Sequence, residues 1–522
     1  MHRMTVRDIY ADNAALAAHD KLNDTHAGYP DLPIGELFAR QVADRRDHPA
    51  LCRGALTMTY GQLNDAATGL AHRLLHHGAQ PCDVIAVALP RGPQMVTAAL
   101  ATVLCGATYL PIDVQWPTRR ITELLDAAGV QRVVAADPVG QLFGRPVIAA
   151  TADHGLVRPV ELPTVAPDAI AYINFTSGST GRPKGVPIRH RSIARLVFGS
   201  RYAPLTPGVR VLHLAPVTFD AATFEIWAPL LHGGVCVIYP DRFVRLARLR
   251  QTVQAHGCDV AFVTTALFNT IVDEAPESFD SVGTILTGGE AHSIRHMRRA
   301  LDHYGPGRIV SVYGPTEATT FATYHPINEI AADTTTVPIG TPIQNTRAYL
   351  IDQDRLCAPG EIGALHLAGP GLSPGYLGLP ERTAAEFFDA AIGPHLERLY
   401  HTGDLAYLDE HGRLVFCGRR DDQLKINGFR IELGEVRHRI EELAAVRAAY
   451  VTPYEPSLGQ RALAAFLIAE DPAMSAELPG LVSAHLSARL PAYMIPKMVS
   501  VVDELPLGET GKIDRTALLS PA

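Results

Sequence analysis

The stretch "IAYINFTSGSTGRPKG", residues 170–185, changes character in the middle. Its first six residues, rich in Ile, Tyr and Phe, read as a buried strand. The ten that follow carry four hydroxyls, several glycines, one proline and the cations Arg182 and Lys184. Glycines and hydroxyls let several backbone N–H groups converge on one point, and a helix expected over "RHRSIARLVF" would add its positive end. The run therefore predicts a strand-to-helix connection that wraps an anion such as a triphosphate, with Lys184 as a mobile point charge. The spacing is not that of a GxxxxGK[ST] phosphate loop.

The same alternation runs outward in both directions. "VIAVAL" precedes "PQMVTAALATVL", "VRVLHLAPV" precedes "TFEIWAPLLHGG", and "VCVIY" precedes "VRLARLRQTVQAHG". "DVAFVTT", "VGTILTGG" and "RIVSVYG" continue it with helical runs between them. Repeated strand-then-helix units predict an α/β fold with parallel, helix-covered sheets, whose ligands gather at the carboxyl ends of the strands. From about residue 335 the texture becomes β-rich: "RAYLIDQD", "GALHLAG" and "GRLVFCG" alternate between Gly/Pro turns. The last hundred or so residues mix helices and strands as a small α+β domain. The expected organisation is a tail or leading helix over 1–31, a large core over 32–420 with its β-rich part at about 335–420, and a small mobile domain over 421–522, with the hinge at Asp421.

The chain has 522 residues, enough for two or three domains. A formal net charge of −8 supplies no basic footprint, so neither nucleic acid nor an anionic membrane is an expected partner. The seven cysteines form no CxxC pair or zinc-like spacing. With a polar N-terminus and no run of membrane-span length, they fit reduced thiols in a cytoplasmic protein.

Ten collinear stretches give the chain a family likeness: "LTMTYGQL" (56–63), "LCGATYLPID" (104–113), "IAYINFTSGSTGRPKG" (170–185), "FDAATFE" (219–225), "VYGPTE" (312–317), "GEIGALHLAGPGLSPGYL" (360–377), "YHTGDL" (400–405), "GRRDDQLKINGFRIELGEV" (418–436), "LPAYMIP" (490–496) and "TGKIDR" (510–515). Together they resemble an adenylation enzyme of the nonribosomal peptide synthetase type, in the superfamily that also holds acyl-CoA synthetases and luciferase. The resemblance implies two half-reactions: a carboxylate and ATP give acyl-AMP and pyrophosphate, then the acyl group passes to a thiol. That thiol would be the phosphopantetheine of a separate carrier protein, in natural-product or antibiotic biosynthesis.

It also implies roles. Thr176, Ser177, Gly178, Ser179, Thr180 and Lys184 would hold the β- and γ-phosphates. Gly289 would belong to the ATP/AMP site, Tyr313 would lie against the adenine, and Asp404 and Arg419 would take the ribose. Thr316 would contact the α-phosphate or the adenylate, and Glu317 would bind Mg²⁺ as a hard carboxylate ligand. Lys512 would be the catalytic cation, set where two anions meet in the transition state. Rotation about Asp421 would withdraw Lys512 and present the loop of Lys425 and Gly428 for thiolation.

For the acid, Asp220 matches the aspartate that pairs with an α-ammonium; its competing expectation is to cap the helix of "AATFEIW". The pocket would be Ala221, Phe224, Val263, Leu286, Gly288, Val312, Thr320 and Phe321. Its apolar lining points to a neutral, small-to-medium aliphatic amino acid, with valine or isoleucine favoured, alanine next, and a β-amino acid an alternative. Ser311 and Thr510 stand where the family commonly has Asn, and Asn427 where Arg is common. The chain ends seven residues after Arg515 without a condensation or carrier module, which predicts a standalone enzyme or an excised domain, with or without a small activating partner. The alternative activity is an acyl- or aryl-CoA ligase. An aminoacyl-tRNA synthetase is disfavoured because HxGH and KMSKS are absent.

Overall fold

The computed structural model describes residues 6–136, 140–151, 159–178, 183–420, 423–426, 429–457, 460–506 and 513–519. The chain divides into two compact units, one of Met1–Asp113, Leu125–Asn174 and Gly185–Arg420, the other of Val114–Leu124, Phe175–Lys184 and Asp421–Ala522. The second unit thus takes in two segments from the stretch expected to belong wholly to the core.

The larger unit is built on three sheets. The nine-stranded sheet is parallel through Ile309–Tyr313, Thr284–Gly288, Val260–Thr264, Arg210–His213, Val235–Ile238 and Pro49–Arg53. Antiparallel strands finish it at both edges. The helices that follow its strands cover it as the alternating pattern requires. Ala221–Leu231, buried along its whole length, contributes Phe224 and Trp227 to the main apolar cluster, which also holds Phe38 and Tyr60. A second sheet, parallel at its centre, carries Val84–Ala88, Thr108–Pro111, Arg132–Ala135 and Ile170–Thr176. These sheets give the expected α/β class.

The third sheet is antiparallel and spans Arg347–Asp352 to Leu414–Arg419. Residues 7–25 are tied to it as well. Arg7–Ile9 pairs in parallel with Phe387–Ile392, and the helix Asn13–Leu22 follows. His19 accepts the Leu350 amide, and the Thr25 hydroxyl donates to the Thr346 carbonyl at 2.6 Å. Among the described residues no helix is long and apolar enough to cross a membrane.

The smaller unit has its own apolar core of Ile431, Val436, Ile440, Val451, Leu463 and Val482, among others. Its three strands run Val446–Ser457, Gln460–Ala469 and Met498–Val501, backed by the helices Leu433–Glu441 and Leu478–Ser487. A two-stranded ribbon, Gln423–Ile426 with Phe429–Glu432, leads into the first helix.

The opening stretch departs from expectation. Ile170–Thr176 is a strand, but Lys184–Arg189 is a second strand, and the helix begins only at His190. The loop therefore joins strand to strand, and the positive end of the helix lies a whole strand away from it. Val186 and Ile188 are fully buried, which repays extending the chain there. Pro187 is tolerated because this strand is at the sheet edge.

Candidate functional site

Tyr313, Asp404 and Arg419 come together. Asp404 and Arg419 stand directly opposite each other on the antiparallel strands His395–Leu408 and Leu414–Arg419. The Arg419 guanidinium donates to Asp404 Oδ1 at 2.5 Å and to the Thr402 carbonyl at 3.1 Å. The Tyr313 hydroxyl donates to Asp404 Oδ2 from the end of its own strand. Burial and the neighbouring carboxylate push the Tyr313 phenol well above its ordinary range, so it stays a donor. The group offers an aromatic face, a cation and a buried carboxylate, the set a base and a vicinal diol need.

Asp220 is the residue just before the helix Ala221–Leu231, yet its side chain makes no capping bond. The Thr316 hydroxyl donates to Asp220 Oδ2 at 2.6 Å, and the Thr320 hydroxyl to the Asp220 carbonyl at 2.9 Å. The capping expectation is therefore not met. The carboxylate is turned toward the "GPTEATTF" loop. That loop holds two β-branched residues in the left-handed region, Thr319 at φ 58° and Thr320 at φ 68°. Such backbone costs about 1–3 kcal/mol per residue and persists where its surroundings over-determine it. Here the bonds to Asp220 and that of Thr319 to the Gly371 carbonyl, at 2.7 Å, do so.

Beside Asp220 lies an apolar cluster. Ala221, Phe224, Leu286, Val312 and Phe321 belong to one core, with the Phe224 and Phe321 rings 5.3 Å apart. Gly288 pairs with Val312, and a Cβ there would sit 2.0 Å from the Val312 carbonyl oxygen, so only glycine fits. Val263 corrects an expectation. It packs into the other apolar cluster, with Phe268 and Ile285, and its neighbour Phe262 meets Phe321 at 5.5 Å. Adjacent strand residues face opposite sides of the sheet, so a one-residue shift exchanges pocket for back wall. Tyr202 completes the aromatic floor, 5.8 Å from Phe224 and 5.6 Å from Phe321.

Glu317 is wholly buried and accepts the Tyr376 hydroxyl at 2.8 Å. Among the described residues no three His, Cys, Asp or Glu side chains gather as a metal cage. A single carboxylate fits Mg²⁺, which keeps waters and phosphate oxygens as most of its ligands. Gly289, at φ 97°, turns the chain just past the Thr284–Gly288 strand.

Within the smaller unit, the beginning of the glycine-rich loop is already in contact with carboxylates. The Gly178 amide donates to Glu435 at 3.2 Å, and Arg120 pairs with the same carboxylate at 2.6 Å. The Ser177 hydroxyl donates to the Arg430 carbonyl at 2.8 Å and accepts the Glu432 amide at 3.1 Å. Lys184 is buried, 3.7 Å from Glu432, rather than mobile. Burial pushes the Glu435 carboxyl up, and Arg120 opposes it. The Thr176 hydroxyl is buried with no hydrogen-bond partner among the described residues. Ser179, Thr180, Asp421, Gly428, Lys512 and the Lys425 side chain lie outside the described residues. Sequence reasoning missed Phe262, Tyr202 and Tyr376; the alternation within "DVAFVTT" carried the signal for the first.

A fold of this kind, with a nucleotide-type constellation at the strand ends, defines a class. The model of the AMP-binding enzyme family matches residues 38–377, and the chain belongs to that family. It is 39% identical over 504 residues to bacitracin synthase 1 of Bacillus licheniformis, covering 96% of this chain but 10% of that one. It is 35% identical over 528 residues to surfactin synthase subunit 1 of Bacillus subtilis, covering 98% of this chain and 14% of that one. The chain thus spans about a tenth of the length of these relatives. Among solved structures, holo-PA1221, a nonribosomal peptide synthetase protein containing adenylation and carrier (PCP) domains, superposes with a TM-score of 0.87 at 34% identity over 96% of this chain and 85% of that one.

Proposed function

We propose that the protein activates a neutral, small-to-medium aliphatic amino acid as its aminoacyl-AMP and hands the acyl group to the phosphopantetheine thiol of a carrier protein. In the first step an amino-acid carboxylate oxygen bonds to the α-phosphorus of ATP. The bond to the bridging oxygen breaks, and pyrophosphate leaves. Asp220 carries the reading: its carboxylate is set by Thr316 at the edge of an aromatic-floored apolar cluster, where an ammonium would find its counter-charge. A fatty or aryl acid has no use for that charge.

Tyr313, Asp404 and Arg419 are assigned to the nucleoside, and Asp404 retains acceptor capacity beyond the two bonds described above. Glu317 would hold Mg²⁺, which neutralises phosphate charge when bound. Thr316, between Asp220 and Glu317 in space and sequence, is assigned to the α-phosphate. Lys184 and the Thr176–Thr180 hydroxyls are assigned to the outer phosphates, Lys512 to the crowded charge of the transition state, and Asp421 to the hinge. With Phe262 in place of Val263 the floor gains a third phenyl ring, which moves the favoured size from isoleucine toward valine and alanine.

The test is amino-acid-dependent exchange of labelled pyrophosphate into ATP across α-amino acids, β-amino acids and simple acids. Strong exchange with small aliphatic α-amino acids is expected. Exchange confined to fatty or aryl acids would replace this reading with a CoA-ligase one, and transfer to a holo carrier protein tests the second step.

A further inference from the structure

The ladder between Thr284–Gly288 and Ile309–Tyr313 stops at the Gly288–Val312 pair. Past it the chain turns through Gly289 toward the helix Ile294–Tyr304, and side chains hold the turn. The Thr265 hydroxyl donates to the Glu290 carbonyl at 3.0 Å. His292 Nε2 is 2.9 Å from the Ser311 hydroxyl, and its Nδ1 is 3.5 Å from Thr265 Oγ1. These contacts cross the carboxyl ends of three neighbouring strands.

Ser311 and Tyr313 are two residues apart on one strand and so share a face. His325, opposite Ser311 in the antiparallel ladder, lies on that face too. Burial and the His325 ring bring His292 down to about 4, so at neutral pH it is an uncharged imidazole with one donor and one acceptor. Ser311 is also a place where this chain departs from the family's common residue, Asn.

We propose that His292 and Ser311 are positioning residues for the nucleotide base, tying the turn that follows Gly289 to the strand that carries Tyr313. Strand pairing joins the two only as far as Gly288. Beyond it, a turn entered through a positive-φ glycine is compliant, and ordering it on binding would cost affinity. The imidazole–hydroxyl contact makes the ordering before the nucleotide arrives. The proposal rests on the adenylation reading only for assigning Tyr313 and Gly289 to the nucleotide.

The experiment is equilibrium binding of ATP and, separately, of tripolyphosphate to the full chain and to His292→Ala, Ser311→Ala, the double variant and Ser311→Thr. One lost hydrogen bond predicts ATP binding weakened by roughly five- to tenfold in each single variant. The double variant should be no worse than His292→Ala, because that variant has already lost the contact to Ser311. Ser311→Thr, which keeps the hydroxyl, should bind as wild type does. Tripolyphosphate, which has no base, should bind all of them alike. Additive losses, or equal losses for ATP and tripolyphosphate, would overturn the proposal. If the wild-type chain binds ATP but exchanges no pyrophosphate with any acid, the adenylation reading fails while the ATP affinities still decide the positioning claim. If it does not bind ATP, both fail.

Discussion

Asp220→Asn isolates the charge that the amino-acid reading depends on. Asparagine keeps the volume and an oxygen for the Thr316 hydroxyl, so the "GPTEATTF" loop stays tied to the start of the Ala221–Leu231 helix. The variant removes only the negative charge proposed to face the ammonium. A hydrogen bond between charged groups contributes about 1.5–3 kcal/mol. The larger penalty of about 3–5 kcal/mol for stranding a fully buried charge applies only in part, because Asp220 is half-buried. The first range corresponds to a loss of roughly 10- to 150-fold in kcat/KM. The assay is pyrophosphate exchange at saturating ATP with valine and with its des-amino analogue, 3-methylbutanoate. The ratio of the two kcat/KM values should fall by that factor, with KM for ATP and the melting temperature unchanged. An unchanged ratio in a stable variant would refute the argument and move the ammonium contact to another group.

Phe262→Leu should shift the preferred amino acid toward larger side chains, whereas Val263→Ala should lower stability without reordering the substrate panel, because only Phe262 faces Phe321. Gly288→Ala should abolish soluble protein or cost upwards of about 3 kcal/mol in urea unfolding, since the new Cβ meets backbone fixed by strand pairing. Stability should also fall on acidification. Burial lowers His190 to about 4 and, with the neighbouring His401, lowers His366 to about 3. Both are neutral in the fold, and His190 Nδ1 accepts the Ile34 amide, which a protonated ring could not do. Below the unfolded-state value near 6.5 the unfolded chain binds more protons, so stability is complete above about pH 6.5 and is lost as pH falls toward the folded values. Each histidine contributes a slope of up to about 1.4 kcal/mol per pH unit, together about 3. Urea midpoints at pH 7, 6 and 5 measure it, and His190→Asn should flatten the slope; a flat midpoint in the wild type would contradict the assignment.

Where one local pattern decided the outcome, the sequence was legible. The alternation of β-branched runs with helical ones predicts the helix-covered sheets, because each strand's length and its amphipathic partner are local properties. Asp404 and Arg419 could be named separately, but their direct opposition depends on the register of two strands joined by the Asp409–Gly412 turn, which their spacing alone does not fix. The misplaced helix after the glycine-rich loop has a similar origin. "KGVPIR" carries two turn-marking residues, and its strand character appears only once Val186 and Ile188 find a sheet edge to bury against. Propensity there was overridden by tertiary burial.

The exchange of Val263 for Phe262 is the more instructive miss, because it concerns function. In a period-two element an error of one residue inverts the answer, whereas in a helix the same error rotates a side chain by about 100° and so moves it off the face without inverting it. Pocket residues contributed by strands are therefore the least secure part of a specificity reading. Here the structure supplies a check independent of any motif. In the ladder, Phe262 is opposite Leu286 and Leu286 opposite Val310, while Val263 is opposite Thr287 and Thr287 opposite Ser311. The first row faces the aromatic floor with Phe224 and Phe321. The second row runs along the other face and ends at the Ser311 hydroxyl that His292 holds. The two faces of the same strands thus divide the work, one shaping the proposed amino-acid pocket and the other setting the proposed nucleotide slot. A substitution on one face should leave the other substrate's KM unchanged, so Phe262→Leu should not alter KM for ATP, and His292→Ala should not reorder the amino-acid panel. If either variant moved both substrates together, the sheet would be transmitting strain between its faces and the division of labour would fail.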